Sequence, residues 1–223
     1  MNKIAIKTDL LSKFYSRGSE KIKAVNEVSI EIKKGEMVAV IGRSGAGKTT
    51  LLSCMGLLEG FDSGKLFIDG IDMTGTTESK RTKLRLKHLG FIFQRFYLLP
   101  TMNSFENISI PFLFSGRKAQ KRRIDELLEM VGLTERKLHR PYELSGGEMQ
   151  RVAVARALAL DPDIIIADEP TGNLDSGNAN RIFSLLKNLA NNGKTIIIAT
   201  HSGELAGSCD RIIEMLDGKV VNS

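Results

Sequence analysis

The chain has 223 residues, 42% apolar and 26% charged, and its 32 Lys and Arg outnumber 26 Asp and Glu for a formal net charge of +6. This composition suits one globular core with a smaller insert, and excludes a disordered chain or a disulfide-built secreted scaffold. No apolar run approaches the ~20 residues of a bilayer-spanning helix, and Ile4, Ala5 and Ile6, between Lys3 and Lys7, are too few for a secretory signal.

In chain order, residues 4–7, 25–32 and 65–71 read as strands of a small antiparallel sheet, the last ending at the Asp69-Gly70 turn. Residues 36–41 form a short apolar strand that runs into a glycine-rich loop, and residues 48–58 read as a helix. Lys80 to His88 is the densest basic stretch; Leu84, Leu86 and Leu89 interleave with its charges as in an amphipathic segment. Residues 90–94 read as a strand, and 117–131 as a helix with Ile124, Leu127, Leu128 and Val131 on one face. Residues 147–160 and 178–189 are two further helices. Residues 163–168 form an apolar run expected of a strand covered on both faces, and residues 194–200 and 211–216 are two more strands. The alternation predicts an α/β core, interrupted by a charge-rich helical insert at about residues 95–144. Cys54 and Cys209 lack metal-ligand spacing and read as free thiols.

Two stretches carry chemistry. Gly42-Arg43-Ser44-Gly45-Ala46-Gly47-Lys48-Thr49 fits the phosphate-loop pattern G-x-x-x-x-G-K-[ST], with a strand before it and a helix after it. The glycines let backbone N–H groups approach phosphate oxygens, and the helix adds the positive end of its dipole. Lys48 supplies a mobile ammonium, the Thr49 hydroxyl suits Mg2+, and Thr50 can reach an α-phosphate. Asp168 and Glu169 end the apolar run at its carboxyl end, where open α/β sheets bind ligands. Asp168 suits the Mg2+ shell, directly or through water, and Glu169 suits the attacking water. Pro170 predicts an extended Glu169 and a turn after it.

Leu144-Ser145-Gly146-Gly147-Glu148, followed by Met-Gln-Arg-Val-Ala-Val-Ala-Arg-Ala-Leu, resembles the signature of the ATP-binding cassette (ABC) ATPases, and the likeness spans essentially the whole chain. Gln94 resembles the family's Q-loop glutamine, Asp175 the D-loop aspartate and His201 the switch histidine. Tyr15 stands where the family stacks an aromatic on adenine; Phe14 beside it is the other candidate. The resemblance implies a P-loop NTPase (RecA-like) parallel-sheet core with an N-terminal antiparallel β subdomain and an inserted α-helical subdomain. One ABC ATPase domain would then span 1–223, with 1–94 and 145–223 forming the β subdomain and core and 95–144 the helical part.

The resemblance also implies ATP and Mg2+ as cofactors and a second copy of the chain. In that head-to-tail pair, Ser145, Gly146 and Gly147 of one copy cap the γ-phosphate held by Lys48 of the other. Glu148 falls in the same nucleotide-binding set where many members have Gln; an ionised Glu cannot donate a hydrogen bond there. Glu169 would activate water, His201 would sense the γ-phosphate, and Gln94 would link Mg2+ and water to the insert.

Within the family the chain is similar to the subgroup of LolD, the ATPase part of MacB, and FtsE. The residues that carry this are Gly90-Phe-Ile-Phe-Gln-Arg-Phe-Tyr-Leu-Leu-Pro100, Glu106-Asn107 with Ile110-Pro111, and Ala167 to Asp175. An FtsX/MacB-like integral membrane permease is the implied partner, for export or lipoprotein or peptide extrusion, at the cytoplasmic face of the membrane. The alternative is a non-transporting ATPase that transmits force or signal to an envelope partner. A cassette acting on nucleic acid or ribosomes would be expected to carry a second cassette, a coiled coil or zinc-binding inserts, and no specific nucleic-acid partner is expected here. No Asn-Lys-x-Asp guanine-reading motif occurs. Phe96, Tyr97, Leu98, Leu99 and Phe105 form an apolar cluster that is either core or a permease-docking surface.

Overall fold

The computed structural model describes residues 3–18 and 20–222. Two long strands, β1 (Ile4–Arg17) and β2 (Glu20–Lys33), pair antiparallel. Both run well beyond the short apolar stretches expected of them. Each strand supplies the other's ladder through polar segments with no apolar alternation, and bulges at Leu10 (φ +48°) and Glu27 (φ +55°) absorb the register shifts. Then follow β3 (Met37–Ile41), α1 (Lys48–Met55), β4 (Ser63–Ile68), the two-residue β5 (Ile71–Asp72), α2 (Glu78–His88) and β6 (Leu89–Phe93).

Between β6 and the next core helix the chain is helical: α3 (Ser104–Phe114), α4 (Lys121–Met130) and two single 3-10 turns at Thr134–Arg136 and Pro141–Glu143. Helix α3 opens with a reciprocal cap between Asn103 and Glu106 and carries Pro111 inside it. The chain closes with α5 (Gly146–Ala157), β7 (Ile164–Asp168), α6 (Ser176–Asn191), β8 (Thr195–Ala199), the short α7 (Gly203–Gly207), β9 (Arg211–Leu216) and β10 (Lys219–Asn222). The last strand, not expected from the sequence, is the return arm of a hairpin turned by Asp217-Gly218, both at positive φ.

The strands form two sheets. The smaller is antiparallel, in the order β2-β1-β4-β5. The larger runs β10-β9-β3-β8-β7-β6, parallel from β9 to β6, with β10 as an antiparallel edge. Strand β8 is buried along its whole length, and β7 up to its final aspartate. Such strands have no solvent face, so their sequence is a continuous apolar run rather than an alternation. One face of the large sheet packs with α1 against the antiparallel sheet, around Leu51, Leu52 and Met55. The other is covered by α3 to α6, around Ile108, Leu127, Val152, Ile182 and Leu186. Among the described residues, no helix is long and apolar enough to cross a membrane.

Candidate functional site

Strand β3 ends at the centre of the large sheet, beside β8, so the loop between β3 and α1 emerges at the carboxyl edge of the parallel strands. Gly47, the residue before α1, has φ +98°, and a Cβ there would lie 2.0 Å from the Ala24 carbonyl. Only glycine allows this loop to press so closely on β2. The loop lines a cleft of about 500 Å³ together with Ile22, Lys23, Ala24, Gln94, Glu169, His201 and Asp217. Ser44, Gly45, Ala46, Gly47, Lys48, Thr49 and Thr50 all reach its wall; Gly42 and Arg43 stand just behind it. The buried Lys48 ammonium donates to the Gly42 carbonyl at 2.8 Å and the Arg43 carbonyl at 3.3 Å, and lies 3.5 Å from His201 Nε2.

The two acids after β7 have separate surroundings. Thr49 Oγ1 donates to Asp168 Oδ1 at 3.1 Å, which joins the phosphate loop to the strand end. A hydroxyl and a carboxylate at the mouth of a phosphate loop are the hard oxygen donors that Mg2+ prefers. Glu169 instead turns toward His201, whose backbone N–H donates to Oε2 at 3.3 Å and whose Nε2 lies 3.1 Å from Oε1. That second approach is close in distance but poorly aligned, so Oε1 is buried without a hydrogen-bond partner in the chain. Burial raises the proton affinity of both acids; His201 and Lys48 partly offset this at each, and the Thr49 hydrogen bond does so at Asp168.

Glu169 departs from the extended geometry that Pro170 predicts: its φ is +47°. Its N–H donates to the Ala199 carbonyl at 2.9 Å and its carbonyl accepts from Gly172 at 3.1 Å. This ladder bond to β8 and the tight turn that follows outweigh the local preference, at a cost of about 1–3 kcal/mol. The same turn lets adjacent acids do different work.

Gln94 follows β6 and reaches the cleft; its amide donates to Asn173 Oδ1 at 3.3 Å, and Asn173 donates back to the Gln94 carbonyl at 3.0 Å. Tyr15 does not line the cleft. Its hydroxyl donates to Glu59 at 2.5 Å, and burial with that carboxylate pushes its proton affinity up to about 12, beside the Thr50 hydroxyl. Asp175 does not line it either: its side chain caps α6 by accepting the Asn178 N–H at 2.9 Å.

Ser145, Gly146, Gly147 and Glu148 lie at the start of α5, apart from the cleft's lining residues. Glu148, expected among the nucleotide ligands, is turned inward. Its Oε2 accepts the Ser145 N–H and the Ser145 hydroxyl, each at 2.8 Å, and its Oε1 accepts from Arg136 Nε at 3.1 Å. The reason is local: a Glu three residues past a serine cap closes a capping box.

The apolar cluster expected in the insert divides. Leu98 and Phe105 are half-buried against the helical core. Tyr97 instead lines a groove of about 590 Å³ with Phe91, Phe93, Ile110, Pro111 and Phe114, where α2, α3 and α5 meet β6. Arg156 closes it, donating to the Tyr97 and Phe96 carbonyls at 2.5 and 2.8 Å. An arginine between Ala155 and Ala157 was a visible signal that this helix serves more than packing. Ile22, Lys23 and Ala24 carried no such signal, because the packing of one sheet on the other brings them to the cleft.

The family model described as "ABC transporter" matches residues 25–172. The chain is 45% identical to the lipoprotein-releasing system ATP-binding protein LolD 1 of Rhodospirillum rubrum, over 99% of both chains. It is 41% identical to the macrolide export ATP-binding/permease protein MacB of Vibrio parahaemolyticus, over 99% of this chain and 34% of that longer one. Among solved structures it resembles the dimeric post-hydrolysis state of the ATP-binding cassette MJ0796 bound to ADP and Pi, with a TM-score of 0.91, 40% identity and 97% of each chain covered.

Proposed function

The chain belongs to the ABC transporter family, and from that premise we propose that it is the ATP-hydrolysing subunit of a transporter, working as a pair of copies beneath an FtsX/MacB-like integral membrane permease. The observation that carries this reading is the convergence of Lys48, the Thr49–Asp168 pair and the Glu169–His201 pair on one cleft, while Ser145 stands on a separate surface. A phosphate loop and a second anion-ready helix start on one chain call for two copies, each completing the other's site. The relatives LolD and MacB support lipoprotein release or export over signalling without transport.

Lys48 and the loop N–H groups hold the β- and γ-phosphates. Thr49 and Asp168 would hold Mg2+, with Gln94 beside them, and the ion would neutralise charge on the transferred phosphoryl group when bound. Glu169 takes a proton from the attacking water at Oε1, the oxygen left without a partner. His201 steadies Glu169 and faces the γ-phosphate beside Lys48. Tyr15, outside the cleft's wall but beside Thr50 at its margin, would stack on the base, and Thr50 would reach the α-phosphate. Gly42, Arg43, Ser44, Gly45, Ala46 and Gly47 shape the cradle, and Asp175 holds the start of α6 at the paired surface.

The apolar groove floored by Phe91 and Phe93 would receive the permease, and the chain would then work at the cytoplasmic face of the membrane. Residues 1–94 and 145–223 would make up the β subdomain and core, and 95–144 the helical part that meets the permease. Light scattering of a Glu169→Gln variant tests the pairing: a dimer at saturating MgATP is expected, and a monomer there would count against it.

A further inference from the structure

Ser145 has one hydroxyl proton, and it is already committed. The Ser145 hydroxyl and backbone N–H both donate to Glu148 Oε2 at 2.8 Å, while Glu148 N–H returns a bond to Ser145 Oγ at 3.3 Å. A phosphoryl oxygen is an acceptor and needs that same proton. We propose that Glu148 gates the signature hydroxyl: its carboxylate holds the Ser145 proton inward, and Arg136 sets how tightly. This rests on the paired, ATP-bridged reading above.

The Ser145 N–H, then its hydroxyl and Arg136, depress the proton affinity of Glu148 to about 2, so the carboxylate is charged at every working pH. A hydrogen bond to an ionised acceptor is roughly twice as strong as a neutral one. The γ-phosphate must therefore pull the Ser145 proton away from an anion that also repels it. Arg136 draws charge from the far oxygen at 3.1 Å and weakens both effects. It belongs to the 3-10 turn Thr134–Arg136, within the helical part, so movement of that part changes the grip on Ser145. Glu148 is thus a positioning residue that acts through Ser145. Both of its oxygens are engaged inside its own chain.

Glutamine preserves the capping box but not the charge, so Glu148→Gln separates the gate from mere support of the helix start. In the Glu169→Gln background, dimerisation is followed by light scattering as ATP is titrated with Mg2+. Adding Glu148→Gln should lower the half-dimerising ATP concentration by about fivefold or more, from the gap between charged and neutral hydrogen bonds. Loss of a merely structural support would raise it. Adding Arg136→Gln, at a half-exposed side chain, should raise the ATP requirement, and that rise should vanish when Glu148→Gln is also present. Thermal melts establish that each variant is folded. A pair whose ATP dependence ignores Glu148→Gln, or an Arg136→Gln effect that survives it, overturns the gate alone. A Glu169→Gln chain that stays monomeric at saturating ATP overturns the pairing and the gate with it.

Discussion

Replacing Glu169 by Gln keeps the shape of the side chain and removes its ability to take a proton. The left-handed backbone at φ +47° strains either residue alike, so the loop geometry is unchanged. Loss of a general base costs about 10²–10⁴ in rate, or roughly 3–5 kcal/mol of barrier. Stability should move the other way. Burial raises the Glu169 proton affinity, so the ionised carboxylate is a cost to the folded state above its titration. That cost fades as pH falls through the raised value, and Gln never bears it. The variant should therefore melt no lower than the parent near neutral pH, with the difference closing toward acid. Steady-state phosphate release at saturating MgATP gives the rate, nucleotide-binding fluorescence the affinity, and thermal melts at several pH values the stability. Turnover within threefold of the parent would remove Glu169 from the water-activating role. A lower melting temperature would refute the claim that its buried charge is destabilising.

Other perturbations probe separate parts of the molecule. Gly47→Ala forces a Cβ to within 2.0 Å of the Ala24 carbonyl at φ +98°, and should cost about 3 kcal/mol in urea unfolding and abolish nucleotide binding. Glu148, depressed to about 2 in the fold, adds stability that is fully present above its ordinary value and is lost as pH falls through the depressed one. The stability gap between parent and Glu148→Gln should accordingly narrow as pH falls through that window, as acid unfolding would show. Phe114 is 74% exposed at the groove, so Phe114→Ser should change stability by no more than about 0.5 kcal/mol. It should also leave basal hydrolysis intact and abolish stimulation by the permease. Leu98→Ser or Phe105→Ser should instead lower the melting temperature, since both side chains pack on the core.

Much of this molecule is written locally. The loop from Gly42 to Thr49 announces phosphate chemistry because its glycines answer a purely backbone requirement. The run from Ile164 to Ala167 announces a buried central strand because both its faces must be apolar. Serine at 145 with Glu three residues on announces a helix start. Other features depend on residues far apart in sequence. Strands β1 and β2 extend through polar stretches because each completes the other's ladder. Glu169 adopts positive φ because Ala199, thirty residues later, captures its N–H. Tyr97 reaches the groove while Leu98 packs inward, a division set by α2, α3 and α5 closing around β6. The inward turn of Glu148 is reinforced by Arg136, which no spacing rule would have paired with it. Adjacent residues spell out which chemistry the chain carries, because local backbone and side-chain needs are met within a few positions. Which oxygen, proton and apolar face remain free to use is settled by folding, because it depends on partners that packing brings together from distant parts of the chain.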